Sequence, residues 1–159
     1  MTESVSSLPP LAFFRAPAMP VQFQSLCPLL EVFDMPASLA FYRDALGMTI
    51  IEAAPPPNKV TDDEFGWVWL QRDSTSLMLN SMYEMPADRP PSADPARVAA
   101  HRDTTLYFGC PDVDGMYVHL RAKGITPEPP QVASYGMKQL YLTDPDGFNV
   151  CFQWSEDKE

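Results

Sequence analysis

Apolar positions along this chain recur in some segments with the two-residue period of a strand and in others with the period of a helix. The same order of strand-like and helix-like segments occurs twice. In the first occurrence a strand-like run ends at Asp34, apolar positions at helical spacing follow, and the pattern stops at Gly47. The second occurrence runs from Leu106 through Asp112 to Gly124 with closely similar spacing. Each unit is typical of a strand, an acidic helix cap, an amphipathic helix and a glycine stop. The chain therefore contains an internal repeat.

Both predicted helices have one apolar face, and each helix is followed by three strand-like runs. The two faces are formed by Met35, Leu39, Tyr42 and Leu46, and by Val113, Met116, Tyr117 and Leu120. The strand-like runs are residues 48–53, 65–71 and 76–81, and then 126–132, 138–143 and 149–154. The pattern predicts an α+β fold of two tandem βαβββ modules.

Composition separates an extension, a connector and a tail from these modules. The N-terminal stretch is broken by prolines, so we expect a poorly ordered or surface-wrapped extension. The segment between the modules is rich in proline, alanine and charge, with one short helix expected after Pro95. The predicted divisions are an extension 1–24, a single domain 25–154 made of module one 25–83, connector 84–102 and module two 103–154, and a tail 155–159.

Strand side chains alternate between the two faces of a sheet, which sorts the predicted strands by parity. One face is apolar and should lie against the helices; it holds Leu30, Val32, Val68, Leu70, Leu77, Leu79, Leu106, Phe108, Leu140, Leu142, Val150 and Phe152. The opposite face holds Cys27, Leu29, Glu31, Trp67, Trp69, Gln71, Met78, Asn80, Thr105, Tyr107, Gln139, Tyr141, Asn149, Cys151 and Gln153. Aromatic rings, amides and one carboxylate favour a small-molecule cavity, although a dimer interface or a second core would use similar residues.

Charge narrows the classes of partner. The chain has 159 residues and a formal net charge of −10, which argues against nucleic acid and against an anionic membrane. Acidity is compatible with a cationic or neutral ligand, but it also serves solubility alone. The N-terminal apolar stretch is too short and too proline-rich for a signal peptide or a membrane span.

The chain has three cysteines, Cys27, Cys110 and Cys151, which are far apart and form no Cys-x-x-Cys motif. We therefore expect no disulfide framework, and we expect a reducing, cytoplasmic location. By parity Cys110 belongs to the helix-facing core. The two histidines lie apart from the strands, His101 in the connector and His119 in the second helix, where we expect it on the solvent side.

Four motifs in order resemble the vicinal oxygen chelate superfamily, particularly its glyoxalase/bleomycin-resistance branch. They are DMPASLAFYRDALG at 34–47, DVD at 112–114, YGM at 135–137 and DPDG at 144–147. The resemblance covers about residues 27–154. It implies paired βαβββ modules that curve a mixed sheet around a cavity, and it implies a homodimer.

Metal-dependent members of that superfamily hold the ion with histidine and carboxylate at four equivalent strand positions. Carried onto this sequence, those positions are occupied by Cys27, Met78, Thr105 and Cys151. Hard divalent ions prefer imidazole and carboxylate oxygen to thiols, thioethers and hydroxyls. The resemblance therefore predicts a member without a metal and without any other cofactor.

Three features of the opposite face leave alternatives open. Cys27 and Cys151 would form a soft-metal or redox site if they met, or would be inert buried thiols. Glu31 is the candidate base, or the partner of a cationic ligand group, or a solvated carboxylate at the sheet rim. Trp67 and Trp69 would stack on a flat or cationic ligand, or pack in a dimer interface.

Three functions follow from these alternatives. The first is a small-molecule-binding protein, similar to metal-free bleomycin-resistance proteins, that sequesters an aromatic or cationic compound between its modules. The second is an enzyme of the same fold, a lyase, isomerase or dioxygenase-like protein with a non-standard site. The third is an assembly protein with a vestigial cavity. The absence of the usual metal-binding residues favours the first function. The residues expected to contact the small molecule are then Cys27, Glu31, Trp67, Trp69, Met78, Asn80, Thr105, Tyr107, Tyr141, Cys151 and Gln153.

Overall fold

The computed structural model describes residues 24–156. The expected extension 1–24, apart from its last residue, and residues 157–159 of the expected tail lie outside this range. The strands are β1 Leu29–Val32, β2 Thr49–Ala54, β3 Trp67–Arg72, β4 Thr75–Ser81, β5 Thr105–Gly109, β6 Gln131–Val132, β7 Met137–Thr143 and β8 Asn149–Ser155. The helices are α1 Met35–Leu39, which continues as a π-helical segment Ala40–Ala45, then α2 Pro95–His101 and α3 Val113–Ala122.

The strands form two four-stranded mixed sheets with the same internal order. Sheet A is ordered β1-β4-β3-β2 and sheet B is ordered β5-β8-β7-β6. In each sheet the first strand of the module pairs in parallel with the last, and the other pairs are antiparallel. The α+β class and the repeated βαβββ modules are confirmed. The sheets are separate and not closed into a barrel.

Local signals in the sequence set the ends of both main helices. The carboxylate of Asp34 accepts a hydrogen bond from the amide of Ala37 at 3.1 Å, and Asp112 accepts one from Gly115 at 2.7 Å. These bonds satisfy amides that a helix N-terminus otherwise leaves unpaired. Gly124, just past α3, has φ +82, a left-handed conformation that favours glycine.

The core lies between the two sheets and the helices, where both modules contribute to one cluster of buried side chains. The helix-facing residues of β1, β3 and β4 are 0–6% exposed. Those of β7 and β8 are also buried, while Leu106 and Phe108 of β5 are half-buried and pack against the cluster. The predicted apolar face is therefore confirmed.

Polar contacts join the two modules around the DPDG turn. The carboxylate of Asp146 is 1% exposed and accepts from the Phe33 amide at 3.0 Å and from Arg97 at 2.7 Å. Tyr42 donates to Asp144 at 2.8 Å across the same boundary. The connector helix α2 is thus held against both modules, because Arg97 also donates to the carbonyl of Glu31.

The position of His119 differs from the one expected from the sequence. Its side chain is half-buried, and its Nε2 atom lies 2.8 Å from the carbonyl oxygen of Ala45, so the expected solvent-facing position is wrong. The contact ties α3 of module two to the end of the π-helical segment in module one. Among the described residues, no helix is both long and apolar enough to cross a membrane.

Candidate functional site

Each sheet has one face turned away from the helices, here called open face A and open face B. On open face A the central strand β3 presents Trp67 and Trp69. Trp67 pairs with Asn80 of β4, which in turn pairs with Glu31 of β1. Trp69 pairs with Met78 of β4. Glu31 and four other predicted ligand contacts, Trp67, Trp69, Met78 and Asn80, therefore lie side by side on one surface.

A bulge in β2 adds a second carboxylate to open face A. The register between β2 and β3 shifts between Ile50 and Glu52, so Glu52 pairs with Trp69 at the far edge of the sheet. Glu31 and Glu52 thus flank the two indoles from opposite edges, three strand spacings or about 14 Å apart. Neither carboxylate forms an ion pair with any residue between 24 and 156. Open face A is therefore aromatic and acidic.

Cys27 lies beside Trp69 where the chain enters β1. Burial raises the pKa of the Cys27 thiol, and the contact with Trp69 lowers it by less. The indole N–H of Trp69 is buried and has no hydrogen-bond partner of good geometry among the described residues. A neutral thiol beside an unpaired donor makes a poor nucleophile and a poor ligand for a hard metal ion.

Open face B carries a hydrogen-bonded network of tyrosines and glutamines. Tyr135 and Tyr141 both donate to the side-chain oxygen of Gln139, at 3.1 and 3.4 Å. The Gln139 amide nitrogen donates to Gln153 at 2.8 Å, and the hydroxyls of Tyr107 and Tyr141 are 3.2 Å apart. Either of these two hydroxyls can donate to the other, because the bond from Tyr141 to Gln139 is long and leaves its hydrogen free to turn toward Tyr107.

This network leaves one defined group for a ligand. Within residues 24–156 the amide hydrogens of Gln153 have no acceptor. They suit a carbonyl or another acceptor of a ligand. Tyr107 and Tyr141 are 54% and 48% exposed, so ligand groups can reach them.

Cys151 lies under the tyrosines of open face B. It pairs in register with Tyr107 on one side and Tyr141 on the other, and it is fully buried. Burial raises the pKa of its thiol, and the contact with Tyr141 lowers it by less. The pKa of Tyr141 is raised, chiefly by its hydrogen bond with Tyr107. Both groups are therefore neutral at physiological pH.

A cleft of about 430 Å³ lies between the modules beside β5. Thr105 and Tyr107 line it from module two, and Leu26, Pro28 and the start of β4 line it from module one. Two of the predicted contacts thus line the cleft, while the tryptophans and glutamines lie on the open faces outside it.

Comparison with known proteins places this architecture in a family. The model of the Glyoxalase/Bleomycin resistance protein/Dioxygenase superfamily matches residues 27–152. The chain belongs to this superfamily. No curated protein matches the chain.

Solved structures with the superfamily fold match the chain at low sequence identity. A bleomycin resistance determinant encoded on the transposon Tn5 is 21% identical with a TM-score of 0.61, covering 85% of this chain and 100% of that chain. A bleomycin-binding protein in complex with bleomycin is also 21% identical, with a TM-score of 0.60 and coverage of 84% and 100%. A glyoxalase/bleomycin resistance protein/dioxygenase from Nocardioides has 21% identity, a TM-score of 0.61 and coverage of 87% and 89%. These likenesses establish the fold.

The superfamily's metal does not fit the residues present. Met78, Thr105 and Cys151 alternate with buried core residues and so lie on the open faces, as predicted. Their thioether, hydroxyl and neutral thiol, with the neutral thiol of Cys27, are not the donors that a hard divalent ion prefers. Between residues 24 and 156, no three His, Cys, Asp or Glu side chains are grouped as a metal site.

Three residues of the open faces are missing from the predicted set of ligand contacts. Glu52 reaches open face A through the bulge, Tyr135 reaches open face B from a turn, and Gln139 was assigned to the open face but not to the site. Cys110 packs against the core cluster as expected, and its half-buried side chain also lines a separate cavity between the modules. Parity places Gln139 on the correct face, whereas the bulge and the turn have no signal in the alternation.

Proposed function

We propose that this protein binds a small aromatic compound carrying a positive charge and does not transform it. The observation that supports this most directly is open face A, where two indoles lie between two carboxylates and no Lys or Arg of the described residues pairs with either. Indole faces attract cations, and the carboxylates add to that attraction. The solved complex of a bleomycin-binding protein with bleomycin, which has the same fold, is consistent with this role.

The ligand contacts that we propose include all but one of those expected from the sequence. On open face A they are Cys27, Glu31, Trp67, Trp69, Met78 and Asn80, with Glu52 added. On open face B they are Thr105, Tyr107, Tyr141 and Gln153, with Tyr135 and Gln139 added. Cys151 is fully buried beneath the tyrosines and is therefore not a contact. Open face B would then bind a polar group of the same compound through the free amide hydrogens of Gln153.

We further infer that two copies pair through the open faces. The resemblance to the superfamily implies a homodimer, and Leu29, Tyr107 and Tyr141, which are 48–54% exposed in the single chain, offer contact area beside the ligand site. Sedimentation velocity should then give a dimer. A monomer at micromolar concentration would contradict this inference without affecting ligand binding to one chain.

Binding is tested with 9-aminoacridine, a flat cation, against the anion anthracene-9-carboxylate of similar size. Calorimetry should show binding of the cation that weakens with added salt, and negligible binding of the anion. Bleomycin serves as a second probe. Mass spectrometry of the recovered compounds should show no chemical change, whereas turnover would support the enzyme alternative.

The variants E31Q and E52Q, alone and together, locate the site. Exposed charge pairs contribute about 0.2–1 kcal/mol each, so the double variant should bind the cation about 2- to 30-fold more weakly. E128Q, which changes an exposed carboxylate outside both open faces, is the matched control and should bind normally. Equal loss in E128Q, or none in the double variant, would contradict the proposed site.

A further inference from the structure

A separate cavity of about 160 Å³, here called the seam cavity, lies between the modules on the helix-facing side of β5. A cavity of about 150 Å³ in another protein accommodates benzene, so this one has room for a single ring or a short alkyl chain. Its apolar walls are formed by Leu46, Met48, Phe108, Cys110, Met116 and Phe152. The contacts proposed for the open faces take no part in it.

The walls can adapt to an apolar guest. Met48 is 4% exposed and Met116 is half-buried, and they line the cavity from the residue directly before β2 and from α3. Methionine side chains are flexible and polarisable, and they fit ligands of varied shape. Phe108 and Phe152, whose ring centroids are 5.3 Å apart, form the aromatic part of the wall.

The rim of the cavity carries one guanidinium with free donors. Nη1 of Arg72 donates to the carbonyl oxygen of Leu46, which fixes the side chain at the rim. Its Nε atom is 4.0 Å from Asp73, beyond a hydrogen bond, and within residues 24–156 no other acceptor binds the remaining N–H groups. Arginine presents such groups in a planar fork that matches a carboxylate.

We propose that the seam cavity binds small apolar carboxylates, with the hydrocarbon part among Met48, Met116 and Phe108 and the carboxylate on Arg72. The net charge of the protein is negative, but the guanidinium acts at contact distance, where it outweighs more distant, screened charges. Among the residues that line the cavity, Asp73 is the one carboxylate; its side chain is 92% exposed, so it weakens the site without blocking it.

Cys110 provides a direct readout because it lines the cavity, while Cys27 lies outside it beside Trp69. Hexanoate is the probe, with hexanol and hexylamine as neutral and cationic controls. Alkylation by iodoacetamide is followed at each cysteine by mass spectrometry. Hexanoate should slow the alkylation of Cys110 and leave that of Cys27 unchanged, and hexylamine should protect much less.

Two substitutions at the rim should act in opposite directions. R72Q should lower the affinity for hexanoate at least about tenfold and leave hexanol unchanged, since hydrogen bonds to charged groups contribute about 1.5–3 kcal/mol. D73N should raise the affinity, because it removes a competing carboxylate. R121Q, at an exposed arginine of α3 outside the cavity, is the matched control and should change nothing.

A cavity-filling variant, M116W, separates loss of the site from loss of the fold. It should abolish binding of both hexanoate and hexanol while 9-aminoacridine binding is retained. Protection by hexylamine equal to that by hexanoate, unchanged affinity in R72Q, or no protection of Cys110 by hexanoate would each overturn the proposal. Failure of 9-aminoacridine to bind the wild-type protein would bear only on the open faces.

Discussion

The buried carboxylate of Asp146 should be a principal link between the two modules. It accepts from the Phe33 amide at 3.0 and 3.2 Å through its two oxygens and from Arg97 at 2.7 Å. The Arg97 side chain is only 19% exposed. D146A would remove the acceptor of a module-one amide and the partner of a largely buried cation in one step.

The cost follows from what is left unpaired. Breaking a buried ion pair costs about 3–5 kcal/mol, and an unpaired buried amide about 1–3 kcal/mol. These terms overlap, and Arg97 keeps its hydrogen bond to the carbonyl of Glu31. We therefore expect D146A to lower the free energy of unfolding by about 3 kcal/mol. D146N, which keeps an acceptor for Phe33 but loses the charge, should lie between D146A and the wild type.

Urea unfolding of the variants, with the slope of the transition compared, measures these differences. The control is D114A, which breaks the ion pair of Lys138 with Asp114, a carboxylate whose side chain is 67% exposed; it should cost less than about 1 kcal/mol. In the D146A background, R97A should recover part of the loss because the uncompensated charge is gone. A loss in D146A no larger than in D114A would refute the reasoning.

Two further predictions concern the turns and the buried acid beside them. Burial raises the pKa of Asp144 above its ordinary 3.8, although Tyr42 donates to it, so the folded state holds its proton longer. Its contribution to stability should therefore fall as pH rises from 3.8 through the raised pKa, and urea unfolding of D144N should show a smaller fall over that window. Gly147 has φ +92, and an added Cβ would lie 2.5 Å from the Val98 carbonyl, whereas Gly124 has φ +82 and open space. G124A should cost about 1–2 kcal/mol for its backbone conformation alone, and G147A about 1–3 kcal/mol more, measured as unfolding free energies.

Strand alternation explains why so much of the sheets could be predicted from the sequence. In β4, Leu77 and Leu79 are 0–1% exposed while Met78 and Asn80 between them face the open side. This alternation is fixed by the geometry of extended backbone, so parity assigns faces wherever a strand is regular. The caps at Asp34 and Asp112 are local in the same sense, because their partners lie three residues along the chain.

The features that the sequence did not predict depend on tertiary structure. The bulge before Glu52 reverses parity within β2, and no glycine in that strand marks it. His119 contacts Ala45, a residue of the other module, so helical periodicity alone could not reveal its partner. Tyr135 joins open face B because the turn closed by the hydrogen bond from Gly136 to Ala133 brings it back over Gln139.

Strand β5 shows how one short segment serves two chemically different places. Thr105 and Tyr107 face the cleft and open face B, Cys110 borders the seam cavity, and Phe108 lines both the cleft and the seam cavity. An edge strand with only one neighbour in its own sheet can contribute to recognition on both sides. The compound proposed for the open faces is drawn by the carboxylates of open face A, whereas the rim of the seam cavity carries a free guanidinium, so the two places should select ligands of opposite charge. The six residues from Thr105 to Cys110 thus contribute to both places.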